Sequence, residues 1–279
     1  MIILSKGTVI LDHYKIEELK TAAGQCFGYN AIDIKAPSSK PWERSVFVKQ
    51  YHDIMPGSDE SHSLLRKYDA LRDRLGEKSN YICLPQSSGE AGGALVTVFP
   101  FVNGKSLKDK FMDGLTQEEC IRISFALIKT VREIHKKGIA HLDLKHDNVV
   151  IEESARDGQL YIRLIDFDAA SIDGTCLRSS VKGTEHYFSP EHAFPERFGE
   201  VSSASDIFTL GIMLSELLLR RHPFAEAHDY RAAITSEDYQ IPENEYHREV
   251  HLFNVVWMYK HGDRSDALYN RMVGLIGGK

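Results

Sequence analysis

Cysteine is scarce in this chain, and what there is does not cluster. Cys26, Cys83, Cys120 and Cys176 lie far apart, with no CxxC pair and no Cys/His ligand spacing. This excludes a disulfide-stapled scaffold and a zinc module, and the four residues read as free thiols of a reducing compartment. Basic charge is also short. Lys and Arg number 34 against 40 Asp and Glu, and the net charge is −6. The cations are spread rather than striped, which argues against nucleic acid as a partner. No apolar run reaches the ~18 residues that a membrane helix needs. The longest, LGIMLSELLL at 210–219, contains Ser215 and Glu216 and reads as a buried helix. MIILSKG at the start lacks the long apolar core of a signal peptide. These absences lead to the expectation of a soluble, cytoplasmic chain with no membrane partner. With 279 residues, 42% hydrophobic and 27% charged, it can bury one large core or two modest ones.

The pattern changes character along the chain. From Tyr14 to about residue 100 short apolar runs read as strands, with polar turns expected at 36–44 and 86–93. One helix is predicted there, about Ser61 to Leu75, because Leu64, Leu65, Tyr68, Leu71 and Leu75 recur at three and four. After Gly104, Thr116-x-x-Glu119 is a capping box that opens a long helical run ended by Gly138. Past Pro190 the chain reads as helix and loop. The fold class expected is therefore α+β: a small antiparallel sheet with one main helix over 1–102, and a larger, mostly helical part over 103–279.

The chemistry concentrates in HLDLKHDN at 141–148 and LIDFD at 164–168. The first supplies a carboxylate, Asp143, an ammonium, Lys145, and a carboxamide, Asn148, on a short loop between a helix and an apolar strand. The second places Asp166 at the end of another strand. Moving a phosphoryl group from ATP needs a positioned acceptor hydroxyl, a cation on the transferring phosphate and oxygen ligands for magnesium. These four side chains cover all three needs.

Two further segments, GTEHYFSPE at 183–191 and DIFTLG at 206–211, follow in the order and at about the spacing of the eukaryotic-type protein kinases, a family this chain resembles over nearly its whole length. The resemblance implies a bilobal fold with the active site between the lobes, ATP and magnesium as cofactors, and a protein substrate with a Ser or Thr acceptor. It makes Asp143 the catalytic base, assigns Lys145 to the γ-phosphoryl group, and gives magnesium to Asn148 and Asp166. Lys145, two residues after Asp143, resembles the serine/threonine-specific subgroup, and GTVILDHYKI at 7–16 resembles the start of the first strand in bacterial members. Lys49, in the strand VFVKQY, matches the lysine that grips the α and β phosphates. Its helix carboxylate is not settled by spacing: Glu60 is preferred, with Asp69 as the alternative. Gly24, Phe27 and Gly28 match a degenerate phosphate-covering loop, in which Ala23 and Gln25 fall where glycine is expected. In ALVTVFPFVNGKSL at 94–107, the Pro100 carbonyl and Val102 N–H would read adenine, with Phe99 lining the back of the pocket. Thr184 and Glu191 belong to the activation segment, Asp206 caps the catalytic loop, and His141 and Phe167 are packing residues.

Three departures from the family pattern carry expectations. Leu142 replaces the arginine that many relatives use to read a phosphate on the activation segment, so activity should not need phosphorylation at Ser171, Thr175, Ser179 or Ser180. Asp168 stands where glycine is usual, which stiffens the segment after Asp166. The arginine that normally pairs with Glu191 would lie past the end of the chain, which reads either as a truncated chain or as a naturally shortened C-lobe. Two other functions stay open: a pseudokinase scaffold, and a small-molecule kinase of the aminoglycoside or choline type. Oligomeric state is open as well.

Overall fold

The computed structural model describes residues 2–22, 24–38, 43–76, 81–153, 158–174, 184–225, 227–235, 270 and 274. The chain divides into two compact units, Met1–Asn103 and Gly104–Lys279.

The first unit contains β1 (Val9–Ile10), β2 (Tyr14–Thr21), β3 (Cys26–Asp33), β4 (Ser45–Tyr51), α1 (Asp59–Leu75), β5 (Ser87–Ala91) and β6 (Ala94–Pro100). The strands form one sheet in the order β1-β2-β3-β4-β6-β5, antiparallel at every step. Strand alternation sorts β4 into two faces. Val46 and Val48 join Leu4, Ile16, Tyr29, Val96 and Val98 in an apolar core. Gln50, also buried, receives the Tyr29 hydroxyl at 2.8 Å and donates to the carbonyls of Ile2 at 2.8 Å and Ala91 at 3.1 Å. These bonds strap the segment before β1 across the sheet and satisfy a buried amide that would otherwise be costly. Phe47, Lys49 and Tyr51 take the opposite face.

Helix α1 begins two residues before the expected Ser61, because Ser58 caps it by accepting the Ser61 N–H at 3.2 Å. Asp59 and Glu60 in the first turn and Arg72 and Arg74 in the last complement its dipole. One correction concerns 86–93, expected as a polar turn. Residues 87–91 are the edge strand β5, and the turn is confined to Gly92–Gly93, both at positive φ. An edge strand can be polar because one rim faces water, and two consecutive positive φ values are what a tight hairpin needs.

The second unit contains β7 (Lys105–Ser106), α2 (Leu107–Asp113), α3 (Gln117–His135), β8 (Ile139–Ala140), β9 (Val149–Glu153), β10 (Leu160–Leu164), β11 (Ser171–Ile172), α4 (Pro190–Ala193), α5 (Pro195–Phe198), α6 (Ser203–Leu219) and α7 (Tyr230–Thr235). The strands pair as β10-β9-β7 and β11-β8. The capping box forms as expected: Glu119 N–H donates to Thr116 at 3.2 Å, and Thr116 N–H to Glu119 at 2.8 Å. Most of α6 is buried, from Ser205 to Ser215 together with Leu217 and Leu218, while Glu216 is half-buried. The helix-like stretch at 266–279 lies, apart from residues 270 and 274, outside the described residues. The α+β class is the observed one: a sheet with one helix, then a mostly helical unit.

Candidate active site

In the first unit, the sheet face that carries Lys49 also carries Gly28, Thr97 and Phe99. Gly28 pairs with Lys49 across the β3/β4 register, and Thr97 pairs with it across β4/β6. A Cβ at Gly28 would lie 2.6 Å from both the Phe47 ring and the Thr21 methyl, so a larger residue there would have to displace these side chains. Gly24 lies in the β2–β3 turn, while Ala23 is outside the described residues. Phe27 rests on His52, ring centroids 4.3 Å apart. At the end of β6, Phe99 is buried, Pro100 exposed and Val102 half-buried, and the Pro100 carbonyl accepts a 3.5 Å bond from the Cys83 thiol. Glu60 sits exposed in the first turn of α1. Asp59, Asp69 and Asp73 are exposed too, and Lys67 is the charged residue on the buried face of the helix.

In the second unit, the loop between β8 and β9 is built around Asp206 of α6. This carboxylate is 1% exposed and accepts from the His141 N–H at 2.6 Å, the Leu142 N–H at 2.7 Å and His135 Nε2 at 2.8 Å. Burial opposes its ionisation, but His135, His141 and the backbone donors outweigh burial and hold its pKa below the ordinary value. Leu142 adopts φ +62° and Asp166 φ +65°, left-handed conformations that a side chain occupies only under constraint. His141 is fully engaged: Asp143 N–H donates to its Nδ1 at 3.3 Å, Nε2 bonds the Ile165 carbonyl at 3.0 Å, and its ring lies 4.6 Å from Phe167. His141 and Phe167 are thus packing residues.

Around Asp143 the polar groups converge. Oδ2 accepts from Lys145 Nζ at 2.9 Å and from Asn148 Nδ2 at 3.1 Å. Lys145 also donates to the Thr184 hydroxyl at 3.1 Å, and Asn148 Nδ2 to the Asp143 carbonyl at 2.9 Å. The other carboxylate oxygen, Oδ1, is buried and has no hydrogen-bond partner among the described residues. The Asn148 carbonyl accepts the N–H of Ile165 at 3.0 Å, which ties Asn148 to the turn bearing Asp166. Asn148 turns its amide nitrogen to Asp143, so its side-chain oxygen does not face that carboxylate. That oxygen and the Asp166 carboxylate are hard oxygen donors of the kind that could hold magnesium. Glu191 is buried in α4 and accepts from the Ser205 hydroxyl at 3.4 Å.

A second polar cluster went unnoticed in the sequence. Glu216 of α6 accepts the Tyr187 hydroxyl at 3.0 Å and lies 3.5 Å from His146 Nε2. The His146 ring stacks on Phe111 and sits in the catalytic loop itself. The available signal was a carboxylate inside an apolar helical run, since a buried polar residue is more informative than an exposed apolar one. Burial pushes Glu216 up to about 7, against the lowering effect of the Tyr187 hydroxyl. Burial pushes His146 down to about 4, with Asp147 opposing and His222 and Lys108 assisting.

These shifts have opposite consequences for stability. Ordinary values are 4.5 for the carboxyl and 6.5 for the imidazole. Between these, folded Glu216 keeps a proton that the unfolded chain has lost, so its contribution falls as pH rises. Folded His146 lacks a proton that the unfolded chain has bound, so its contribution grows as pH rises. Each slope is about 1.4 kcal/mol per pH unit at most, and in the parent chain they offset. Urea unfolding at pH 4.5 and 6.5 should therefore show Glu216→Gln gaining stability with pH and His146→Gln losing it. Parallel profiles for the two variants would contradict the assignment.

Residues 57–268 match the model of the protein kinase domain, and the chain belongs to the protein kinase family. A probable serine/threonine-protein kinase of Clostridium perfringens is 27% identical over 224 residues, which cover 78% of this chain and 30% of that protein. Serine/threonine-protein kinase PrkC of Bacillus subtilis is 33% identical over 141 residues, 49% of this chain and 20% of that protein. Serine/threonine-protein kinase pkn2 of Myxococcus xanthus is 36% identical over 143 residues, 49% of this chain and 17% of that protein. The matched stretch thus spans less than a third of each relative's length.

Proposed function

We propose that the chain transfers the γ-phosphoryl group of Mg-ATP to a serine or threonine hydroxyl of a protein. The observation that carries this reading is Asp143: its Oδ2 is occupied by Lys145 and Asn148 while its Oδ1 is buried without a partner among the described residues. An acceptor hydroxyl donating to Oδ1 would be oriented by a carboxylate that is itself held in place, the requirement for a general base. Lys145, bonded to both Asp143 and Thr184, places a cation beside the transferring group, and Lys49 grips the α and β phosphates. Asn148 and Asp166 would hold magnesium, which would neutralise the negative charge that develops on the transferring group. A scaffold without turnover has no need of a carboxylate oxygen kept without a partner. The serine/threonine-protein kinase names of the relatives support protein substrates, and a need for ATP would fit a cytoplasmic location.

The test is transfer of label from Mg-ATP to the chain itself and to a basic protein, beside Asp166→Asn. Label on Ser or Thr that disappears in the variant is the expected result. Label on a small hydroxylated compound alone, or none, would overturn the reading.

Activity is proposed not to depend on phosphorylation of the activation segment. Leu142 is buried at 4% exposure with its N–H given to Asp206, and it offers no cation to a phosphate. Of the four hydroxyls named above, Ser171 is buried in β11 opposite Ala140 and is a poor acceptor. Thr175, Ser179 and Ser180 lie outside the described residues. The triple variant Thr175→Ala, Ser179→Ala, Ser180→Ala should retain turnover within about threefold, since no charge-assisted contact is lost. Loss of turnover from a folded triple variant would refute this independence.

A further inference from the structure

His192, in the first turn of α4, turns its ring back onto Ser189. The Ser189 N–H reaches His192 Nδ1 at 3.4 Å, and the Ser189 hydroxyl lies 2.9 Å from the same atom. A backbone N–H can only donate, so Nδ1 is the acceptor and the neutral ring carries its proton on Nε2. The imidazole also hydrogen-bonds the backbone of Leu142, in a contact that favours the protonated ring. An acceptor has that effect and a donor does not. The Leu142 N–H is in any case given to Asp206 Oδ1 at 2.7 Å, so it is the Leu142 carbonyl that takes the Nε2 proton. His192 is buried, and the Phe188 ring stacks on it, centroids 5.4 Å apart at 10°, which keeps water from competing for the bond. Burial lowers the pKa of the ring, against the raising effects of Asp206, the Leu142 backbone, Glu191 and Asp143.

The Leu142 carbonyl and the Asp143 N–H belong to one peptide group. Its N–H end is given to His141 Nδ1 at 3.3 Å, and Leu142 itself stands at φ +62°. With His192 on the carbonyl, the peptide is held at both ends, and its plane sets the direction in which the Asp143 side chain leaves the backbone. We propose that His192 is a positioning residue for Asp143: its ring holds the peptide that enters Asp143 and so aims the carboxylate at the acceptor hydroxyl. This deepens the kinase reading and rests on Asp143 as the base. His192 follows the segment that carries Thr184, whose hydroxyl receives Lys145 at 3.1 Å. The end of the activation segment thus meets the catalytic loop at Leu142 and at Lys145, both times through an unmodified side chain.

Steady-state transfer of label from Mg-ATP to a basic protein by the full chain separates positioning from folding. His192→Met fills the volume and donates nothing. Its kcat should fall about 10- to 100-fold, the scale set by a misplacement of about 1 Å, while the KM for ATP holds within about twofold. His192→Gln, whose amide nitrogen can donate to the Leu142 carbonyl, should regain most of that loss. In the Asp143→Asn background His192→Met should add little, the signature of two residues acting as one unit. Ser189→Ala, which keeps the ring and removes the hydroxyl from Nδ1, should lower kcat in the same direction, and it carries the test if His192→Met does not unfold cooperatively on heating. A parent-like kcat in the folded variant, equal losses in the Met and Gln variants, or a full additional loss in the Asp143→Asn background would overturn the positioning role. A rate that Asp143→Asn leaves unchanged would instead overturn the reading of Asp143 as the base.

Discussion

Replacing Asp206 by alanine is expected to destabilise the second unit by about 3–5 kcal/mol, the usual cost of removing one partner from a buried charged network, and to abolish phosphate transfer. The carboxylate is the common acceptor for three donors, the N–H groups of His141 and Leu142 and the ring of His135. Alanine would leave all three buried without it. The loss reaches function because Leu142 at φ +62° is held in place by its bond to Asp206 Oδ1. A left-handed residue with a Cβ costs roughly 1–2 kcal/mol, so the backbone before Asp143 should relax once its anchor is gone. The pH dependence gives an independent check. The folded pKa of Asp206 lies below the ordinary 3.8, so its contribution is fully present above that value and is lost as pH falls through the folded pKa. The stability gap between the parent chain and Asp206→Ala, measured by urea unfolding, should be constant above pH 5 and narrow in acid below 3.8. A gap that does not change with pH would mean that Asp206 acts by packing alone.

The parts of the site that the sequence revealed are those whose contacts are local. Asp143, Lys145 and Asn148 bond one another across two and five residues, so a window of eight letters contains the whole arrangement. Thr116 and Glu119 are similar: a capping box is a three-residue interaction, and it opened α3 where expected. Contacts that close long loops left little trace. The pairing of Glu216 with Tyr187 spans 29 residues, and a lone carboxylate in an apolar run does not say which partner it will meet. Ser171 reads in sequence as a hydroxyl available for phosphorylation, but β11 pairs with β8 and buries it. The preference for Glu60 came from the need for a carboxylate on α1. The apolar repeat of Leu64, Tyr68 and Leu71 already marks the buried face of α1, but not which polar residue joins that face. It carries Lys67 and Tyr68, with Glu60 in the exposed first turn. For β5 the turn signal was real but drawn too wide: Gly92–Gly93 makes the turn, and the polar letters before it are an edge strand.

Asp143→Asn is expected to lower kcat about 10²- to 10⁴-fold, the range for loss of a positioned general base, while leaving the fold and the KM for ATP nearly unchanged. The substitution is close to isosteric, and geometry decides how the amide must sit. The Oδ2 position faces the Lys145 ammonium and the Asn148 amide nitrogen, both donors, so the amide oxygen must take that place. The amide nitrogen then occupies the Oδ1 position, where the parent chain has a buried acceptor without a partner among the described residues. An acceptor becomes a donor at the one carboxylate oxygen that Lys145 and Asn148 do not occupy, where the proposed mechanism puts the acceptor hydroxyl. That hydroxyl loses the group that orients it and takes its proton, while Lys145 and Asn148 keep an oxygen to bond. Single-turnover transfer of label, with thermal unfolding as control, reads both effects. If the variant kept more than about a tenth of the parent rate, Asp143 would act only as an anchor for Lys145 and Asn148, because positioning alone survives an isosteric amide and proton removal does not.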